Sequence, residues 1–342
     1  MSLAPAAPRL GRWLGTERAL LVTMVAICAG TALRLIPSTT GLLGGTIVIG
    51  AGIAVANVLL PGVIKRDFGS RIGLMTGLYS MSLSIGAALA AGLTVPFERA
   101  AHTDWRTTLA VWGLLTVLAV AVWTPQVRRR AHQAAAGTEA QPVHGLWRDP
   151  VAWTVTVFMG LQSLGYYATG AFLPTILTNA GMSQSLAGLM LSIANLLGIV
   201  GAFSTPVLAT RGIRPAFLAV AAAVLTAGGL AGLAVAPVSG AYLWIVLLGL
   251  GQSAAFSLAM LFIVLRAPDG GSAAQLSSMA QSCGYLLAAA GPLALGAVHQ
   301  VEGGWAVPLV LLLALLILQT VTGLGAARER YVAAGQRTPD AR

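Results

Sequence analysis

The sequence predicts an all-α, polytopic helical membrane protein, and three observations carry this. Of its 342 residues, 57% are hydrophobic and only 9% are charged, where soluble domains carry about 25%. The apolar residues fall in runs of the length, about 20 residues, that a helix needs to cross a hydrocarbon core. Lys and Arg gather at alternate ends of those runs.

Ten spans are expected in order, at roughly 18–36, 41–64, 71–95, 105–125, 151–177, 184–209, 213–236, 240–265, 272–297 and 304–326. The first follows Arg9, Arg12 and Arg18, and carries Arg34 near its far end. Basic residues, an apolar run and small residues at Ala29–Ala32 imitate a signal peptide. The run is long for one, however, and Arg34 follows it at once. The second and third spans are joined by the charged turn Lys65-Arg66-Asp67-Phe68-Gly69-Ser70-Arg71. The fourth opens at Trp105. The Ala-, Arg- and Gln-rich interval 126–149 has no periodic apolar face and reads as a flexible cytoplasmic linker. It divides an incomplete N-terminal bundle of four helices, 1–125, from a six-helix bundle with a cytoplasmic tail, 150–342. The 41 glycines fit close helix packing in lipid. Cys28 and Cys283 both lie in apolar runs and read as small buried hydrophobes.

The net charge is +10. In a soluble chain that would suggest nucleic acid; here it is a topology signal. With the N-terminus in the cytoplasm, every Lys and Arg falls inside except Arg34, Arg99 and Arg106, which predicts N- and C-termini both cytoplasmic.

The two halves repeat at an offset of about 200 residues. Pro8-Arg9-Leu10 matches Pro206-Val207-Leu208, Asp67 matches Asp269, Ser70 matches Ser272, and Trp105 matches Trp305. Parallel repeats of this kind mark transporters, with the site at the repeat interface near the midplane. The two helices from about 150 to 205 have no partner in the first half. This predicts a twelve-helix design whose first two helices are not in the sequence. A truncated, transport-inactive membrane protein that only packs or associates is therefore the alternative expectation.

The stretch NVLLPGVIKRDF, then GLMTGLYSMSLSIGAALAAGLTVP, then DWRTTLAVW, resembles the cyanate permease / 2-nitroimidazole transporter family of the major facilitator superfamily. The resemblance implies a major facilitator fold with about ten of twelve helices, alternating access by rocking bundles, and a bacterial inner-membrane location. Two features depart from the superfamily pattern. The loop motif is reduced to Pro8-Arg9-Leu10-Gly11-Arg12 without its acid, and an Arg expected near Thr46 is absent.

Every Asp, Glu and His lies in a loop or at a helix end, so no membrane-embedded carboxylate offers a proton relay. Arg34 reads as snorkelling to the outer interface, with an outer gate or anion-attracting role as the sharper reading. The polar residues near mid-span are the candidate substrate cavity: Asn57, Tyr79, Gln162, Tyr166, Asn195, Gln252 and Gln281. Tyr167 and Gly165 adjoin Tyr166. By the resemblance, these helices line or flank the cavity of the full design; interhelical hydrogen bonding alone would also explain the amides. Amides and hydroxyls without carboxylates suit a small neutral or anionic solute. Lys65, Arg66, Asp67, Arg71 and Asp269 are candidates for a cytoplasmic gate. No catalytic constellation, metal site or cofactor is expected. The expected partners are a small-molecule substrate and the lipid bilayer, with no nucleic acid, and the expected state is a monomer.

Overall fold

A computed structural model describes residues 7–131 and 145–332. Within those residues the chain is helical and has no strand. In order come α1 (Ala7–Leu14), α2 (Thr16–Leu33), α3 (Thr39–Asp67), α4 (Ile72–Ala101), α5 (Trp105–Val111), α6 (Gly113–Ala131), α7 (Pro150–Asn179), α8 (Gln184–Thr210), α9 (Pro215–Val235), α10 (Ala241–Arg266), α11 (Gly270–Glu302) and α12 (Ala306–Ala326). Helices α5 and α6 form one span interrupted at Trp112.

Among the described residues, nine of the ten expected spans are long and apolar enough to cross a membrane. The tenth, 151–177, is α7. Its 30 residues make it about 45 Å long, but no stretch of it is as continuously apolar as the other nine spans. The reason is burial in protein: Gln162, Ser163 and Thr169 are all enclosed by neighbouring helices. Two segments expected as irregular are partly helical. Pro8–Arg12 belongs to α1, which packs on α2 and α3 through Ala7 and turns Trp13 outward. The interval 126–149 starts inside α6 and ends in the short turn Leu146–Arg148; its middle, 132–144, lies outside the described residues.

Side-chain caps set where helices begin. Ser38 accepts from the Gly41 amide at 2.9 Å, and Asp269 from the Ser272 amide at 2.8 Å. Asp149 accepts from Val151 N at 2.7 Å and Ala152 N at 3.3 Å, with Pro150 at the first helical position. Such side chains satisfy amides that a helix start leaves unpaired. Asp149→Ala is expected to destabilise the protein by about 1 kcal/mol, seen as a lower melting temperature in detergent, and Asp149→Ser to restore most of it.

Helices α7 to α12 pack on one another, with α7 crossing α11 and α10 lying between α8 and α9. The α7–α11 crossing is tight: a Cβ on Gly160 would meet the Gly284 Cα at 3.1 Å. In the first half, α2 packs on α3 and α6. Helix α4 lies mainly against α8 and α10 rather than against its sequence neighbours. Gly73 and Gly77 permit this, their faces pressed on the Pro206 and Phe203 carbonyls of α8.

The halves also meet where α3 crosses α11. A Cβ on Gly62 would lie 2.7 Å from the Gly270 carbonyl oxygen, and one on Gly270 would lie 2.8 Å from that of Gly62. These crossings sit at the end of the molecule that holds the Lys65–Arg71 turn. Further along, Gly86 of α4 and Gly165 and Gly170 of α7 face open space.

Candidate functional site

The site begins with a missing hydrogen-bond donor. In an α-helix the amide of residue 61 would bond the carbonyl of residue 57. Residue 61 is Pro61, inside α3, and proline has no N–H. The Asn57 carbonyl is therefore released toward α11. Gln281 Nε2 donates to it at 2.9 Å and to Ser277 Oγ at 2.8 Å; the Ser277 hydroxyl donates to the same carbonyl at 3.5 Å. On the other side, the Tyr79 hydroxyl of α4 donates to Asn57 Oδ1 at 3.1 Å. Three of the expected cavity residues, Asn57, Tyr79 and Gln281, are brought together in one network that joins the halves.

A row of tyrosines continues from it. Tyr285 and Tyr79 pack against one shared core cluster. Tyr285 lies edge-on to Tyr167, with ring centroids 6.3 Å apart, and Tyr167 edge-on to Tyr166 at 5.6 Å. The Tyr166 hydroxyl donates to Asn195 Oδ1 at 3.1 Å. The rings of Tyr166 and Tyr167 are exposed. Tyr285 was not among the expected residues. Its signal was there: Ser277, Gln281 and Tyr285 recur every four residues, one face of a helix.

Gln162 and Gln252 meet elsewhere, inside the second half. With Thr226 and Gln319 they line a cavity of about 20 Å³, room for about one water molecule. Gln162 Nε2 donates to Ser163 Oγ at 2.6 Å and to the Met159 carbonyl at 3.2 Å, while its Oε1 is buried without a partner. Gln252 Nε2 donates to Thr169 Oγ1 at 3.0 Å.

The five candidate gate residues divide. Arg66 pairs within the first half, with Glu17 at 2.5 Å and Asp67 at 2.9 Å. Lys65 reaches across: its ammonium lies 5.9 Å from the ring centre of Tyr331, and Asp269 acts on it electrostatically. Asp269 also accepts from the Ser272 hydroxyl at 2.9 Å. Arg71 is exposed in the turn Gly69–Arg71.

A polar site between two sets of membrane-spanning helices, pressed together at one end, is the architecture of a secondary transporter. Residues 1–292 match the Major Facilitator Superfamily. The chain is similar to the 2-nitroimidazole transporter of Escherichia coli, 38% identical over 330 residues that cover 96% of this chain and 84% of that one. It is 39% identical over 334 residues to the uncharacterized transporter YycB of Bacillus subtilis, covering 96% and 82%. To the cyanate transport protein CynX of Escherichia coli it is 30% identical over 300 residues, covering 86% and 77%. Among solved structures, the Escherichia coli fucose:proton symporter FucP superposes with a TM-score of 0.73 at 14% identity, over 95% of this chain and 87% of that one; this shows the fold alone. The chain belongs to the major facilitator superfamily, in the group that includes the 2-nitroimidazole and cyanate transporters.

Proposed function

We propose that this transporter carries a small planar solute, neutral or anionic, across the bacterial inner membrane by alternating access. The observation that supports this most is the tyrosine row, Tyr79, Tyr285, Tyr167 and Tyr166, with amides at both ends and, among the described helices, every Asp, Glu and His confined to the helix ends. Aromatic faces suit a flat heteroaromatic, and the hydroxyl and amide donors suit a small delocalised anion; it is the lack of a carboxylate beside the row, not the rings, that disfavours an organic cation. The names of the relatives, a 2-nitroimidazole transporter and a cyanate transport protein, agree with that chemistry.

In this reading the moving bodies are 1–125 and 150–342, joined by 126–149, and the protein acts as a monomer. Both termini are cytoplasmic, following the Lys and Arg bias, so the Lys65 end is the inner gate. Lys65 and Asp269 close it across the halves, while Arg66, Asp67 and Arg71 brace the turn.

Uptake of radiolabelled 2-nitroimidazole and of cyanate into proteoliposomes tests the reading. At least one is expected to accumulate above empty liposomes; uptake of neither would overturn it. Tyr167→Ala and Tyr285→Ala are each expected to raise KM about fivefold, the scale of one lost ring contact of about 1 kcal/mol. Tyr285→Phe, which keeps the ring, is expected to stay near wild type.

A further inference from the structure

The chain does not run free after α12. It turns at Ala327, the C-cap of that helix, and residues 327–332 return to the end of α10, where the Val332 amide donates to the Arg266 carbonyl at 2.8 Å. Arg266 closes α10, and the last carbonyls of a helix have no donor inside it; Val332 supplies one. The Val332 side chain is fully buried, in the same core cluster as Phe262 of α10 and Leu146 from the end of the linker. The charged run Arg328-Glu329-Arg330-Tyr331-Val332 is thus a strap with one apolar pin.

The pin decides what its neighbour reaches. With Val332 held inward, Tyr331 stands exposed, and its ring centre lies 5.9 Å from the Lys65 ammonium, within the reach of about 6 Å that a cation–π contact has. The strap belongs to the second half, and Lys65 to the last turn of α3 in the first. The contact therefore crosses between the halves at the end where α3 and α11 press together.

Charge at this seam explains why such a contact is needed. Lys65 is acted on by Arg266 of α10 as well as by Asp269. Two cations from opposite halves thus approach each other when the basic end closes, and like charges oppose closure. Asp269 answers only part of this, because both its carboxylate oxygens are engaged by Ser272, one by the amide and one by the hydroxyl. Arg266 is buried, its Nε has no hydrogen-bond partner, and its bond to the Ala327 carbonyl is long at 3.4 Å. The strap faces both cations. Glu329 acts electrostatically on Arg266, and the Tyr331 ring offers its negative face to Lys65.

We propose that Tyr331 is a positioning residue of the gate: pinned through Val332 to the end of α10, it holds Lys65 against the second half and favours the closed basic end. This rests on the reading of Lys65 and Asp269 as a gate, and adds to that pair a member from the tail. Opening of the basic end parts Lys65 from the ring, because Tyr331 stays clasped to α10.

The test uses the full chain in proteoliposomes, with Cys28 and Cys283 replaced by serine and Ala274→Cys as the reporter. Position 274 lies against Gly62 at the α3–α11 crossing, so the rate at which a maleimide labels it reads opening of the basic end without any transported solute. Tyr331→Ala is expected to raise that rate about two- to fivefold, the scale of one exposed cation–π contact. Tyr331→Phe keeps the ring and is expected to keep the parent rate. Lys65→Met removes the partner of the ring, so Tyr331→Ala added to it is expected to change nothing further. Val332→Asp expels the pin and is expected to raise labelling at least as far as Tyr331→Ala. A parent rate in Tyr331→Ala, a Tyr331→Phe rate as high as that of Tyr331→Ala, or full additivity with Lys65→Met would overturn the proposal. Should Val332→Asp fail to fold, the Tyr331 variants decide, because that side chain is exposed. The expected labelling pattern without uptake of any solute would sink the transport reading and leave the clasp standing; uptake with labelling unmoved by Tyr331→Ala would do the reverse.

Discussion

Gly62→Leu is expected to abolish transport while the chain still folds and inserts. At this position α3 and α11 meet backbone to backbone: the added Cβ would lie 2.7 Å from the Gly270 carbonyl and 3.3 Å from the Ala274 Cβ. No flexible side-chain tip is there to move aside. Each half keeps its own packing, because α3 still has α2 and α11 still has α7. The strain falls on the arrangement that joins the halves at the basic end. Overpacking of this kind costs about 1–3 kcal/mol, which lowers the population of the closed end by about five- to 150-fold. The initial uptake rate is expected below a tenth of wild type. A single cysteine at position 274, in a background without Cys28 and Cys283, reports the cause. It should be protected from maleimide in the parent and labelled in Gly62→Leu. Protection in both, with transport intact, would show that the α3–α11 crossing does not limit the cycle.

Gln281→Leu is the second large effect. It strands the Asn57 carbonyl, which Pro61 has already deprived of its helical donor, and leaves Ser277 as its only donor, at 3.5 Å. Leaving a buried acceptor unsatisfied costs about 1–3 kcal/mol. The side chain is 1% exposed, so water does not replace the lost bond. Opening of the basic end should rise about fivefold or more, read by the same cysteine, with a matching fall in uptake. The pair with Pro61→Ala is diagnostic. Alanine at 61 returns the N–H and satisfies Asn57 inside α3, so the double variant should lose much less than Gln281→Leu alone. Strict additivity of the two changes would show that the released carbonyl is not the shared element.

Much of the fold was legible because it is written in composition. Apolar runs and basic ends locate α2, α3, α4, α8, α9, α10, α11 and α12 to within a few residues at most of their ends. Hydropathy says less about α7, whose Gln162, Ser163 and Thr169 are turned into protein, and nothing about the break at Trp112. α1 is too short and too charged to register as an apolar run.

The candidate site was legible by residue type more than by direction. Polar residues at mid-span pointed to Asn57, Tyr79 and Gln281, which do meet. The same criterion chose Gln162 and Gln252, which instead line a small void between α7, α9, α10 and α12, within the second half. A one-dimensional pattern places a residue at a depth, whereas the azimuth of its side chain depends on which helices pack beside it. The bond from Gln281 to a main-chain oxygen was harder still. It needs the proline rule of α3 and the register of α11 together, and these lie 220 residues apart in the hydrogen bond from Ser277 to Asn57.

The polarity of α7 has a consequence for how the protein is made. A segment leaving the ribosome is admitted to the bilayer by its own affinity for lipid, and each polar side chain lowers that affinity. α7 is the first helix of the second half, so it reaches the insertion machinery before α11 and α12, the partners that enclose it, have been synthesised. Chains halted just after Asn179 should therefore leave α7 largely outside the membrane, and chains extended through α12 should draw it in. α7 is thus committed to the bilayer after the more apolar helices that follow it in the chain.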